Sequence, residues 1–384
     1  MAEKNFKQKF RDGLKRLKPI YRAARSLRHR SRMLFTDGLR RILPAWPRFG
    51  PPKGLFHAYD ELKSGRLPGR VLLESQMIPP PAPGSLRLLA KLGQEGYQPW
   101  PIFWTKHSPA RLIGNHALLV DDGKRACAEG LYRTHPEGME DYNTLWLPRP
   151  IVLAGNWTST LTRWEGNYYH WFMDCLPRLA LLDQLPPDTR VLVPASLSPF
   201  HRQTLQWLGL QQRVQPVPGR HLVVENYFFS TPTVMTGCAD PYGVRFLRGK
   251  FLPHADPAFT PVEKIYIRRR GKTRDVVNEA EVIAFLEQRG WQAVDLEALT
   301  LAQQIQLFAH ARGVCGLHGA GFTNLLWCRP GCVAVELLAE NFLNGCYDAL
   351  ASCVGVEHRF LIQPGDEAQR IRVDVGRLSQ LLPD

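Results

Sequence analysis

What the chain lacks narrows it first. No stretch approaches the ~20 consecutive apolar residues that span a bilayer, and the N-terminus has neither the apolar core nor the small-residue cleavage site of a secretory signal. Cysteine is sparse: eight residues, at 127, 175, 238, 315, 328, 332, 346 and 353, with no disulfide-like or zinc-like grid. Cys328 and Cys332 flank Arg-Pro-Gly, a spacing outside the usual CxxC pattern. Reduced thiols in a cytosolic protein are the resulting expectation. No internal repeat is evident.

Acidic residues are also in deficit, 35 against 49 basic, for a net charge of +14. The excess is local. Residues 1–41 hold 14 Lys and Arg and three acids, while the remainder is close to balanced at 35 basic and 32 acidic. A nucleic-acid partner is therefore not expected of the body, and no reader motif supports one. Within the arm, Phe6, Phe10, Leu14, Leu17 and Tyr21 draw one apolar stripe on a helix whose other faces are basic. Such a helix suits an anionic membrane surface, each basic residue contributing about 1 kcal/mol near lipid. Packing on the body and a disordered tail are the alternatives.

At 384 residues the chain is expected to form two domains. We read residues 1–45 as the basic amphipathic arm, with the Pro/Gly-rich "LPAWPRFGPPKG" (43–54) linking it to the body. Residues 55–245 would form an N-terminal α/β domain and 260–365 a C-terminal Rossmann-like domain, with 366–384 packing back as a tail. The Gly- and Pro-rich stretch from Gly237 to Lys264 reads as the crossover between them. Beyond it the pattern is clear: "KIYIRR" as strand, "NEAEVIAFLEQRG" as helix stopped by Gly290, and "WQAVDL" as strand. "TLAQQIQLFAHA" follows as a helix opened by a Thr300–Gln303 capping box, then "GVCGL" and "CVAVELL" as strands around a short "GFTNLLWC" helix. This alternation predicts a parallel sheet with helices on both faces.

Ligands of open parallel sheets bind beyond the carboxyl ends of the strands. Those ends bring together Arg268, Arg269, Arg270 and Arg274, then His318 with Gly319, Ala320 and Gly321, and an acid inside a strand, Glu336. Arginine forks and a helix N-terminus suit phosphate oxygens, and a carboxylate can accept ribose hydroxyls, so a nucleotide diphosphate fits the set. A buried acid needs a partner, so Glu336 resists a purely structural reading. Upstream, "GNYYHWFMDCLPRL" (166–179) places Asn167 as a helix cap and His170, Asp174 and Arg178 at intervals of four on one face. The alternative there is a hydrogen-bonded structural triad. Pro177 either kinks this helix or starts a new one.

These blocks resemble glycosyltransferase family 61, which includes bacterial capsule and polysaccharide biosynthesis proteins. "NYYHWFMDCLPRL", the Arg…Asn-Glu block around Asn278 and Glu279, and the block "HGAGFTN…VAVELL" stand in the family's order, over roughly 150–362. Phe322 stands where the family often has Leu. The resemblance implies an α/β protein of two Rossmann-like domains facing a cleft, the B-type glycosyltransferase fold. It further implies inverting transfer from a nucleotide-sugar, UDP-linked in the first instance, to a glycan or lipid-linked acceptor, with no cofactor and no required metal. No Asp-x-Asp follows a strand in the donor half. Either Asp174 or His170 would be the base, or the two act as a pair, with Asn167, Arg178, Asn278 and Glu279 in support. Arg268 or Arg269, with Arg274, His318, Gly319, Ala320 and Gly321, would hold the diphosphate, Asn324 the turn or a phosphate, and Glu336 the ribose. Capsule, lipopolysaccharide or exopolysaccharide synthesis at the inner face of the cell membrane is the expected setting. A non-catalytic nucleotide- or glycan-binding component of a membrane assembly complex is the alternative.

Overall fold

The computed structural model describes residues 31, 52, 54–79, 81, 83–91, 96–121, 124–131, 147–231, 236–269 and 274–383. The expected amphipathic arm (apart from Ser31), most of the linker and Arg270 lie outside them. The chain divides into two compact units that alternate along the sequence: residues 1–69, 105–158 and 217–229 make one, and 70–104, 159–216 and 230–384 the other.

The first unit contains a mixed sheet. Strands Ala110–Ile113, Leu118–Val120 and Arg125–Cys127 run antiparallel in succession, and Gly54–Phe56 joins the last of them in parallel. Strand His221–Ser230 pairs antiparallel with Ala110–Ile113 and parallel with Ile151–Ser159. This differs from the parallel Rossmann-like sheet expected of the N-terminal domain. The connection from Ile113 to Leu118 is a tight turn with Gly114 at φ 76° and Ala117 at φ 51°, far too short to hold the crossover that parallel neighbours require.

In the second unit the predicted α/β alternation is present. Strand β1 (Lys264–Ile267) leads to helix α1 (Glu279–Glu287), then β2 (Gln292–Val294), α2 (Leu301–His310) and β3 (Gly313–Leu317). A 3₁₀ segment (Ala320–Trp327) follows, then β4 (Val333–Ala339), α3 (Cys346–Val354) and β5 (Glu357–Gln363). The sheet order is β2-β1-β3-β4-β5, every pair parallel. Strand β4 is an interior strand and buried at every position, as expected for a parallel strand covered on both faces. The capping box at α2 forms in both directions, Gln303 N–H to Thr300 Oγ1 at 3.2 Å and Thr300 N–H to Gln303 Oε1 at 3.1 Å. Helix α3 ends at Gly355 in the left-handed region, φ 83°; α3 and β5 were not anticipated from sequence.

Two expectations need correction. The Gly/Pro-rich stretch after residue 237 is not a plain crossover, because Asp240 accepts from the N–H of Tyr242 and Gly243 and opens an α-helix over Pro241–Phe251. The His170–Asp174–Arg178 stripe is likewise not one continuous α-helical face. One α-turn (Tyr168–His170) passes into a π-helical turn (Trp171–Cys175) and then a 3₁₀ stretch (Leu176–Gln184) that Pro177 begins. The change of pitch keeps His170 and Asp174 together and swings Arg178 away. Its guanidinium instead donates to the backbone oxygens of Leu161 at 2.8 Å and Ser230 at 3.3 Å.

Candidate active site

The sheet register builds the centre of the site. Gly316 lies opposite Glu336, and Glu336 opposite Phe360. His318 follows β3 directly, and its N–H bonds the Leu337 carbonyl at 2.9 Å, so its ring comes to rest over Glu336. One carboxylate oxygen of Glu336 accepts from His318 Nδ1 and the other from His358 Nε2 at 2.9 Å. The Glu336 side chain is 0% exposed, and those of the two histidines nearly so. Burial pushes this carboxyl up, but the charge and hydrogen bond of His318, joined by those of His358, outweigh it and hold the pKa below the ordinary carboxylate value. A carboxylate only accepts, so His318 Nδ1 carries the hydrogen and Nε2 is left over. Among the described residues Nε2 has no protein partner.

Cations flank this histidine. Arg269 donates to the His318 carbonyl at 3.0 Å, and no carboxylate among the described residues pairs with it. Its Nε is buried without a hydrogen-bond partner. Burial, and then the neighbouring charge of Arg274, pull the Arg269 pKa below its ordinary value. Arg274 stands over the ring of Phe342, 5.0 Å from its centroid, and Phe342 in turn packs on His318 at 5.4 Å. Gly319 leaves room for the Arg269 guanidinium, which a Cβ at this position would displace. At 321 a Cβ would press on Leu296 and Ile267, at 3.0 and 3.2 Å. The first hydrogen bond of the following 3₁₀ segment runs from Phe322 N–H to Gly319 C=O, leaving the amides just before it without intrahelical partners.

The second cluster stands on the π-helical turn. Asn167 caps its start by accepting from Tyr169 N–H at 2.9 Å, as expected. His170 Nδ1 lies 2.7 Å from Asp174 Oδ2, and Thr236 Oγ1 donates to the same oxygen at 2.8 Å. The Asp174 side chain is 5% exposed and that of His170 22%. Asp174 thus engages His170 through Nδ1, and the His170 ring is the more exposed member of the pair. The other carboxylate oxygen, Oδ1, is buried with no hydrogen-bond partner. Aromatic contacts connect the two clusters: His170 meets Tyr169, Tyr169 meets Tyr347 at 5.6 Å, and Tyr347 meets His318 at 5.1 Å. A cavity of ≈ 570 Å³ opens beside them, lined by Tyr168, Phe200, Leu296, Gln304 and Gly321 among others.

Residues 168–335 match the family model for glycosyltransferase 61. This part of the chain is a glycosyltransferase 61 domain. Over an alignment 268 residues long the chain is also 34% identical to the EGF domain-specific O-linked N-acetylglucosamine transferase of Drosophila melanogaster, with 58% of this chain covered. The chain spans 50% of that relative's length.

In this glycosyltransferase 61 domain, several residues hold other places than the sequence suggested. Glu336 is not available to a ribose: it is enclosed, and both its oxygens are taken by histidines. Asn324 holds the turn rather than a phosphate. Its oxygen accepts from Tyr168 Oη at 2.9 Å and Trp327 Nε1 at 3.0 Å, and its amide donates to Gln304 at 3.0 Å and Gly321 O at 3.2 Å. Arg268 lies 3.6 Å from Glu279, which leaves Arg269 as the cation facing the turn. Asn278, expected in a supporting role, fastens Val373 through that residue's N–H and C=O, both at 2.9 Å. Thr236, Tyr347 and His358 were missed, because none lies in a periodic or motif-bearing stretch. Among the described residues no three His, Cys, Asp or Glu side chains gather as metal ligands, and no helix is long and apolar enough to cross a membrane.

Proposed function

We propose that this chain transfers a sugar from a nucleotide-sugar to a hydroxyl of a glycan or lipid-linked acceptor. The single observation behind this reading is Arg269, a half-buried cation with no ion-paired carboxylate among the described residues, held beside the His318 turn where Gly319 leaves room for its guanidinium. A diphosphate is the anion that suits it: Arg269 and Arg274 supply charge, the amides after Gly319 supply donors, and His318, with a second proton on its ring, adds an Nε2–H donor while Nδ1–H stays on Glu336. The nucleoside occupies the neighbouring cavity, its base against the apolar side chains of Phe200 and Leu296.

The chemistry is a single displacement. The acceptor hydroxyl gives its proton to His170 Nε2 while its oxygen bonds the anomeric carbon. The bond from that carbon to the diphosphate breaks, and its electron pair leaves on the phosphate oxygen facing Arg269. One displacement inverts the anomeric configuration. In this scheme the arginines and amides offset the charge of the departing diphosphate, without a metal or cofactor. UDP-N-acetylglucosamine is the first donor to test, given the activity named for the Drosophila relative. The acceptor belongs to capsule, lipopolysaccharide or exopolysaccharide synthesis on the cytoplasmic face of a membrane, with residues 1–41 on anionic lipid. Flotation with anionic vesicles should recover the full chain and not one lacking residues 1–41; equal recovery would remove the membrane part of the proposal.

The test of the reaction is donor turnover by the wild-type chain and by Arg269→Ala. Turnover of one nucleotide-sugar series, falling about 10²–10³-fold in the variant, is expected. Nucleotide binding with no turnover of any donor would favour a non-catalytic binding component instead.

A further inference from the structure

His318 is the residue that the proposed reaction places against the diphosphate, where a second ring proton makes Nε2–H a donor, and the ring is aimed there only while Nδ1–H stays committed to Glu336. Glu336 cannot guarantee this alone. Its carboxylate sits in a strand buried at every position, and a buried charge with one oxygen unbonded is costly and free to re-orient. Register supplies the remedy. Phe360 of β5 lies opposite Glu336, so His358, two residues earlier, projects from the same face of the sheet. There its Nε2 meets the second carboxylate oxygen at 2.9 Å, with a side chain only 5% exposed. Strand β5 is otherwise half-open along this part of its length, so a polar side chain turned fully inward is not explained by the strand's own pattern.

We propose that His358 is a positioning residue for His318, acting through Glu336. By holding one carboxylate oxygen, it directs the other to His318 Nδ1 and so keeps Nε2 facing the anion. The inference rests on the donor-site reading of His318, but its structural part can be measured without turnover. His358 also lies outside residues 168–335, beyond the span of the family match.

The experiment compares wild type, His358→Phe and His358→Gln in the full chain labelled with ¹⁵N-histidine. Phe preserves the ring volume and removes the donor; Gln keeps an N–H that can reach a carboxylate. Without nucleotide, and at a pH high enough to deprotonate the ring once, wild-type His318 is expected as the Nδ1–H tautomer. In His358→Phe it should become a mixture of tautomers, while kcat falls about 10–100-fold, the order typical of lost outer-shell partners, with the donor KM little changed. His358→Gln should restore both the tautomer and most of the rate. A His318 ring that keeps a single Nδ1–H tautomer in a folded His358→Phe protein would overturn the proposal, whatever the turnover. Absence of turnover by the wild type would count against the transferase reading instead, and the tautomer would still decide the role of His358.

Discussion

Two histidine–carboxylate clusters stand in one unit of this molecule, and they are built to opposite specifications. Around Glu336 everything is closed: the acid is fully enclosed, each oxygen has an imidazole donor, and three neighbouring backbone segments are fixed by parallel pairing. Around Asp174 one oxygen is bonded twice and the other not at all, and the histidine side chain is partly open. The closed cluster stands on a regular strand, the open one on a π-helical turn between two other helical pitches. A carboxylate with two permanent donors provides a constant charge distribution. A histidine oriented from one side and open on the other can accept a proton and return it. In the proposed reaction this contrast corresponds to proton movement at His170 and electrostatic stability at His318.

Replacing His170 by Asn should break this division most severely. Transfer is expected to fall about 10²–10⁴-fold, the span of a lost general base, with nucleotide binding retained because the diphosphate site is intact. Loss of nucleotide binding in that variant, measured by thermal shift, would mean that the two clusters are not separate in function.

Glu336→Gln sharpens the comparison from the other side, with a smaller effect read in stability. An amide N–H would face an imidazole N–H in a dry site, at a cost of about 1–3 kcal/mol in urea unfolding. The pH dependence follows from the lowered carboxyl. Its stabilisation is fully present above the ordinary value of 4.5 and is lost as pH falls through the lower folded value. Wild type should therefore lose stability in acid over that window, and the Gln variant should lack this component. Parallel acid unfolding curves for the two proteins would show that Glu336 is not the charged centre of its cluster.

The contrast also explains what could be read from sequence. Arg269, His318, Gly319 and Glu336 were legible because strand-end positions in a parallel sheet follow from apolar periodicity, and β1 to β4 are strongly periodic. The role of Glu336 was not legible. Whether a strand acid faces ligand or protein depends on the neighbouring strand, and β5, which brings His358, has no clear alternation. Asn324 shows the same limit, since its four bonds reach residues as distant as Tyr168. The spacing of His170 and Asp174 predicted their contact, but extending it to Arg178 assumed a constant 3.6-residue pitch that the π-turn interrupts. The mixed sheet of the first unit was missed because short antiparallel strands joined by tight turns leave little signal beside the longer alternation that follows.

The most direct test of the account is calorimetric titration of the wild-type protein and Arg269→Ala with UDP, followed by GDP, CMP and dTDP if UDP gives no heat. The account predicts saturable binding of one nucleotide, weakened about ten- to a hundredfold in the variant, as expected for losing a charge-assisted hydrogen-bonding group. Equal affinity in the two folded proteins, or no binding of any nucleotide by the wild type, would contradict the assignment of the His318 turn and Arg269 to a diphosphate.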